Sequence, residues 1–237
     1  MSYFIRFGLS HWFGLLFSLG LLFLGFKCRN LSKKTRVLIR RILAATLFSF
    51  FIIYQIYNLF VVGSWSLQGQ LPLHLTNFIL AWLILALTFE KVRLFFILAY
   101  FWGFSGGLGS ILSPDIGLDF PDVGYVFFWA SHAPMLFAVA MVVFDTNFTL
   151  KYRDIWIAFA FLLGYMLLIY PLNLMLGSNY GYLVSLPSSI SFANLLGNNF
   201  ASSPNYLLPL AILTLIAFHG VFLIYKLFFK SFKQNKI

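Results

Sequence analysis

Long apolar runs separated by short clusters of lysine and arginine set the pattern of this chain. Seven runs can be read, at about 10–26, 42–62, 71–89, 94–113, 122–144, 155–172 and 205–229. A membrane-crossing helix needs roughly 20 apolar residues for a hydrocarbon core about 30 Å thick. The runs are apolar all round, so length and flanking charge identify them rather than a 3.6-residue period. The pattern predicts an all-α polytopic membrane protein in which residues 1–237 form one domain of seven transmembrane helices. The fourth run is the weakest, because Gly103, Gly106, Gly107 and Gly109 dilute it.

Polar punctuation refines the ends of the runs. Pro72, Pro121 and Pro204 fit first-turn positions, where a missing N–H is tolerated, and Ser203 fits a cap before Pro204. Between 173 and 205 the chain is long and uncharged. Its Ser188 to Leu196 stretch, bounded by Pro187 and Gly197, predicts a short interfacial or re-entrant helix that lids a cavity. No repeat is visible, and the first run lacks the basic start and the small-residue cleavage pattern of a removable leader.

Composition agrees with the pattern: 61% of residues are apolar and 9% charged, far outside the soluble range. The net charge of +10 suggests nucleic acid until its distribution is read. Lys27, Arg29, Lys33, Lys34, Arg36, Arg40 and Arg41 join the first two runs. Lys91 and Arg93 join the third and fourth, Lys151 and Arg153 the fifth and sixth, and Lys226, Lys230, Lys233 and Lys236 close the chain. Fifteen of the sixteen basic residues therefore fall on one side, with Arg6 opposite. The positive-inside rule places the N-terminus outside and the C-terminus in the cytoplasm of a cell membrane. The expected partners are membrane lipids and not nucleic acid, with anionic headgroups at the basic loop 27–41 gaining about 1 kcal/mol per basic residue. Cys28, the one cysteine, lies in that loop and excludes an intrachain disulfide.

With this topology, the uncommon residues collect in the outer half. Pro72, His74, Thr76 and Asn77 open the third run, and Tyr100 to Gly107 occupy the outer half of the fourth. Asp115, Asp119 and Asp122 follow, and Asn173 with Gly177 to Leu183 closes the sixth run. His132 stands eleven residues beyond Pro121, roughly 16 Å along a helix and near midplane. No acid or base lies within nine residues of it. One cavity opening outward, with its floor near His132, accounts for this placement.

Buried polar groups in a membrane mark either a site or a packing device. A threonine hydroxyl becomes a nucleophile when a base takes its proton, and a buried neutral histidine suits that task. His74 and Thr76 are two apart, about 200° around a helix, so Thr76 is expected to pair with His132. An extended Pro72 region would reverse that expectation, because i and i+2 would share a side. Asn77, Asn173 or a backbone N–H of the glycine-rich stretch would stabilise an oxyanion. The bland readings are a Thr76 bonded to its own helix, a structural His132, ordinary His11 and His219, and solvated caps at the aspartates. Gly103/Gly107 and Ser105/Gly109 fit close helix packing or a broken helix lining a site.

Leu-Pro-Leu-His-Leu-Thr at 71–76, Tyr-Phe-Trp-Gly at 100–103, Ser-Pro-Asp at 113–115, Phe120-Pro121, Ser131-His132-Ala133, and Asn173 with Gly177-Ser178-Asn179-Tyr180 form an ordered set. That set resembles the bacterial YwaF-like integral membrane proteins. Their animal relatives resemble intramembrane acyltransferases that remodel phospholipids through a cysteine acyl-enzyme, and the cysteine position is matched here by Thr76. The androgen-induced lipid hydrolases, distantly similar, use an intramembrane threonine and histidine. The resemblance implies a lipid acyltransferase or ester hydrolase of a bacterial membrane, with Thr76 and His132 catalytic and His74 and Asn77 assisting. It needs no cofactor or metal, and Trp102, Gly103, Gly107, Asp115, Asn173, Asn179 and Tyr180 would contact substrate. The alternatives are a non-enzymatic transporter or binding protein for a lipid-like or small organic ligand, and a metal-assisted hydrolase using His74, His132 and the outer aspartates. Oligomeric state is left open by the sequence.

Overall fold

A computed structural model of the chain describes residues 2–63, 65–146, 148–186 and 205–229. It is helical: α1 Leu9–Cys28, α2 Lys33–Tyr57, α3 Leu75–Thr88, α4 Arg93–Leu112, α5 Val123–Asp145, α6 Arg153–Leu176 and α7 Leu207–Ile224. Helix α2 continues through a π-helical turn at Asn58–Val62, and α7 through one at Tyr225–Phe229. Among the described residues, the nearest approach to a sheet is one bridge between Tyr3 and Leu118. The Ser188–Leu196 helix, the Ser203 cap and Pro204 lie outside the described residues.

Among the described residues, six helices are long and apolar enough to cross a membrane. The seventh, α3, has 14 residues, about 21 Å at 1.5 Å per residue. It is shorter than the apolar run because Leu71–His74 turns before it, with Leu73 N–H bonded to Leu71 O at 2.7 Å. Pro72 therefore precedes the helix rather than opening it, and Pro121 likewise sits ahead of the Asp122 cap of α5. Helix α2 departs the other way and begins nine residues before its apolar run. Its N-cap Ser32 accepts the Thr35 N–H, and a polar first turn is invisible to hydropathy.

Helix α4 is the hub, packed against α3, α5, α6, α7 and α1. Glycines let it approach its neighbours: a Cβ at Gly103 would fall 2.9 Å from Val139 and 3.2 Å from Leu83, and one at Gly107 3.3 Å from Leu136. The helix runs unbroken through all four glycines, so the packing reading holds for the Gly103/Gly107 pair and the broken-helix reading does not. Gly109 alone among the four meets nothing.

One end of the bundle gathers the basic clusters. Arg36 Nε lies 2.6 Å from Asp145, and Arg40 Nη1 lies 2.7 Å from Glu90 and 3.0 Å from Asp145. Arg93 reaches Asp154 at 2.6 Å. The start of α2 is thereby tied to the ends of α3 and α5, and the start of α4 to the start of α6. Arg36 and Arg40 are turned inward by these pairs, which removes two of the seven charges expected to face lipid headgroups. At the opposite end the N-terminal segment straps the α4–α5 loop. Phe4 N–H donates to Gly117 O, Asp119 N–H donates to Ser2 O, and Ser10 Oγ donates to Asp119.

Candidate functional site

At that opposite end the helices part around a cavity of about 700 Å³, within the range of small-molecule sites. His74, Thr76 and Asn77 from α3 and its approach line it, with Ser110 and Ser113 from the end of α4. Asp115 and Asp122 come from the following loop, Ser131 and His132 from α5, and Tyr182 from the turn after α6. Leu47, Phe50 and Phe51 of α2, Leu80 of α3 and Leu162 and Met166 of α6 supply apolar walls. Thr76 and His132, expected to pair, both line this cavity, and no hydrogen bond joins them.

The start of α3 defines the state of Thr76. His74 is the N-cap, extended at φ −64° and ψ 146°, and its side chain makes no capping bond. Thr76 is the second helical residue, so no turn precedes it to offer its hydroxyl a carbonyl. Elsewhere the hydroxyls of Ser18, Thr88, Thr146 and Thr214 each bond to the carbonyl four residues earlier. Ser105 does the same to Phe101. Thr76 escapes this self-satisfaction and faces the cavity half-buried. The N–H groups of Leu75 and Thr76 likewise lie in the open first turn of the helix, where donors are unpaired and the dipole favours negative charge.

His132 is held from one side. Its Nδ1 lies 2.8 Å from Phe128 O and 3.0 Å from Ser131 Oγ, and its ring stacks on Phe128 at 4.1 Å. A carbonyl oxygen only accepts, so Nδ1 carries the proton and Nε2 keeps its lone pair. Ser131 Oγ donates to the same carbonyl at 2.9 Å. The peptide oxygen of Phe128 thus does what the acid of a hydrolytic triad does for its histidine, fixing tautomer and orientation. That partner was readable in the chain, since the carbonyl four residues before a helical residue is always within reach, but no side-chain type announces it. Ser110, also missed, stands at i+4 from Gly106 on the same face.

His74 and Asn77 also line the cavity, as expected. His74 receives a long bond of 3.4 Å from Gly181 N–H and packs against the rings of Tyr180 and Tyr182. Asp115 accepts a 2.7 Å bond from Tyr182 Oη. Burial, and then the Asp115 carboxylate, hold the Tyr182 phenol well above its usual pKa.

Six expected substrate contacts lie elsewhere. Trp102, Gly103, Gly107, Asn173, Asn179 and Tyr180 do not line the cavity. Trp102 donates to Ala158 O at 3.0 Å, and Gly103 and Gly107 serve the α4 packing. Asn173 is 1% exposed and fully engaged, donating to Tyr180 O and accepting from Ser178 Oγ and Tyr180 N–H. Its turn depends on Gly177, which ends α6 at φ 63°, a conformation glycine adopts without a Cβ penalty. Asn173 and the α4 glycines are therefore withdrawn as oxyanion donors, because their amides are already spent. Asn179 holds Val184 and Ser185, and Tyr180 Oη bridges Leu67 O and Leu71 N–H.

The other histidines are structural. His11 accepts the Phe7 N–H at 2.8 Å and reaches Ile111 O at 2.7 Å, while His219 contacts Leu215 O and Tyr152. Among the described residues, no three His, Cys, Asp or Glu side chains gather as metal ligands would. One family model, described as the TMEM164 family, matches residues 6–230. No curated protein and no solved structure matches the chain.

Proposed function

The chain belongs to the TMEM164 family, and on that premise we propose that it is an intramembrane acyl-transfer enzyme acting on lipid esters. One observation carries the reading: Thr76 keeps an unspent hydroxyl beside a cavity into which His132 also opens, with Nε2 as its only vacant nitrogen. Thr76 Oγ1 attacks the acyl carbonyl while His132 Nε2 takes its proton. The tetrahedral oxyanion is stabilised at the start of α3, by the Leu75 and Thr76 N–H groups and Asn77. Collapse breaks the ester bond, the departing alcohol takes the proton from His132, and an acyl-threonine remains. A second alcohol, or water, then gives up its proton to His132 and attacks the acyl-threonine; the bond to Thr76 Oγ1 breaks, and His132 returns the proton to that oxygen. His74 orients the α3 approach against Gly181.

The same reading takes α3 as a seventh, short span, puts the N-terminus outside and the C-terminus in the cytoplasm, and opens the cavity toward the outer leaflet of a bacterial cell membrane. Likeness to YwaF-like proteins and to phospholipid-remodelling acyltransferases supports it, as does the basic end of the bundle under the positive-inside rule. The other five basic residues of the loop 27–41 attract anionic headgroups. Lipid mass spectrometry of the purified protein tests the chemistry: an acyl adduct on Thr76 that disappears in Thr76→Ala is expected, and unchanged lipid turnover in Thr76→Ala overturns the assignment. The missing Thr76–His132 hydrogen bond favours a second reading, ligand binding or transport without covalent change. Substrate flux with no altered lipid species would select it.

A further inference from the structure

The lining of the cavity stops at one level. Counting toward the basic end, its last residues are Leu47 on α2, Leu80 on α3, Gly106 on α4, Met135 on α5 and Leu162 on α6. The next layer is solid: Leu83 and Leu136 are 0% exposed, Val139 1%, and Val139 and Leu83 occupy the space a Gly103 side chain would need. Thr76 lies four residues above Leu80 and His132 three above Met135, so the floor is only about 5–6 Å below the pair at 1.5 Å per residue. One leaflet of a 30 Å hydrocarbon core spans about 15 Å. An acyl chain whose carbonyl sits at Thr76 therefore does not fit below it.

The side wall is different. Phe50, Phe51 and Tyr54 carry the lining up α2, and Tyr54 is 45% exposed on the outer surface of the bundle. From the acyl-transfer reading, on which this step rests, we infer that the chamber encloses the reacting carbonyl and the first few carbons of the chain, while the rest leaves beside α2 into the bilayer. The substrate class is then a lipid ester chosen at its polar end, by the groups around Ser110, Ser113, Asp115 and Tyr182, and not by acyl length. Outside the protein a longer tail meets only more lipid, which is as apolar as a leucine-lined wall and adds no preference.

The test uses the full-length protein in nanodiscs holding equal mole fractions of monoacyl phosphocholine lipids with chains of eight to eighteen carbons, and reads bound lipid by native mass spectrometry. Occupancy is expected to vary less than threefold across the series. A cut-off of tenfold or more above some length overturns the inference, because a closed tunnel rejects what exceeds its depth. Leu80→Trp raises the floor and is expected to lower occupancy for every chain alike; a loss confined to long chains overturns the inference by showing that tails pass downward. A protein that fails to fold with tryptophan leaves the wild-type series as the deciding measurement. Binding is read without turnover, so a flat profile with no altered lipid sinks the enzymatic reading alone, whereas a sharp optimum with turnover sinks only this one.

Discussion

At the basic end of the bundle, Asp145 is shared by Arg36 and Arg40 with its side chain 3% exposed, and Asp154 serves Arg93 with none exposed. At the other end Thr76 and His132 are just as deep in an apolar sequence, yet each keeps an atom without a protein partner. Polar groups are costly in either place. The first set repays that cost by pairing, which joins α2 to the ends of α3 and α5 and joins the starts of α4 and α6; the second is left open toward a cavity. Pairing, rather than depth or residue type, separates the arginine–aspartate network from the proposed site.

Breaking the open end is expected to have the largest effect on function and the smallest on stability. His132→Phe should lower acyl turnover by about 10²–10⁴-fold, the range of a positioned general base. Thr76→Ala should remove the adduct altogether. Both should melt within a few degrees of wild type in detergent, since no protein group loses a partner at Thr76 and only Phe128 O and Ser131 lose one at His132. A large drop in melting temperature for Thr76→Ala would mean that its hydroxyl is structural, and the contrast between the two ends would dissolve.

The paired end should respond in the opposite sense. Asp145→Ala takes the carboxylate from Arg36 and leaves Arg40 with Glu90 alone, and should destabilise the protein by about 3 kcal/mol, the lower end of the cost of breaking a buried ion pair. Any acyl turnover should persist in the fraction that folds. Chemical denaturation in mixed micelles alongside a turnover assay reads both quantities. Equal loss of stability and activity per folded molecule would show that the two ends are coupled.

This contrast was half legible in the chain. Seven apolar runs and the one-sided arginines and lysines foretell seven helices and a basic end, because length and charge are properties of a sequence alone. That Thr76 and His132 line one cavity also follows, since placing runs on sides brings the start of α3 and the outer half of α5 to the same end. What hydropathy hides is consumption. Asn173 and the α4 glycines read as donors, but Tyr180 O takes the Asn173 amide across a turn, and the glycine N–H groups lie inside an unbroken helix whose own carbonyls take them. The same blindness hid the early start of α2, whose first turn is capped by Ser32 and is not apolar, and the pairing of Arg40 with acids 50 and 105 positions away.

Between the two extremes stands Tyr182, whose hydroxyl bonds to Asp115 at the cavity mouth. Tyr182→Phe should cost about 1 kcal/mol or less, as for one partly exposed hydrogen bond, and should raise KM more than it lowers kcat, because the contact borders the chamber without touching the reacting atoms. Steady-state kinetics with a fixed lipid ester would show the split. An equal fall in kcat would move Tyr182 into the reacting centre.

The smallest effect is expected at Glu90, the most exposed partner in the arginine network. Its hydrogen bond from Arg40 is the main influence holding its carboxyl below the usual range, with the charges of Arg40, Lys33 and Lys91 adding to it against a modest opposing burial. A carboxylate whose folded pKa is depressed adds stability that is fully present above its unfolded value, and that stability fades as pH falls through the folded one. Wild type should therefore lose slightly more stability than Glu90→Gln between neutral pH and the acid side of pH 4.5, the unperturbed glutamate value. The differential is small because an exposed ion pair is screened by water and salt. Melting curves of the two proteins across that range give the comparison directly. Parallel curves would place the lock entirely on Asp145, and a Glu90→Gln curve that falls faster than wild type would reverse the sign of the Arg40–Glu90 contribution.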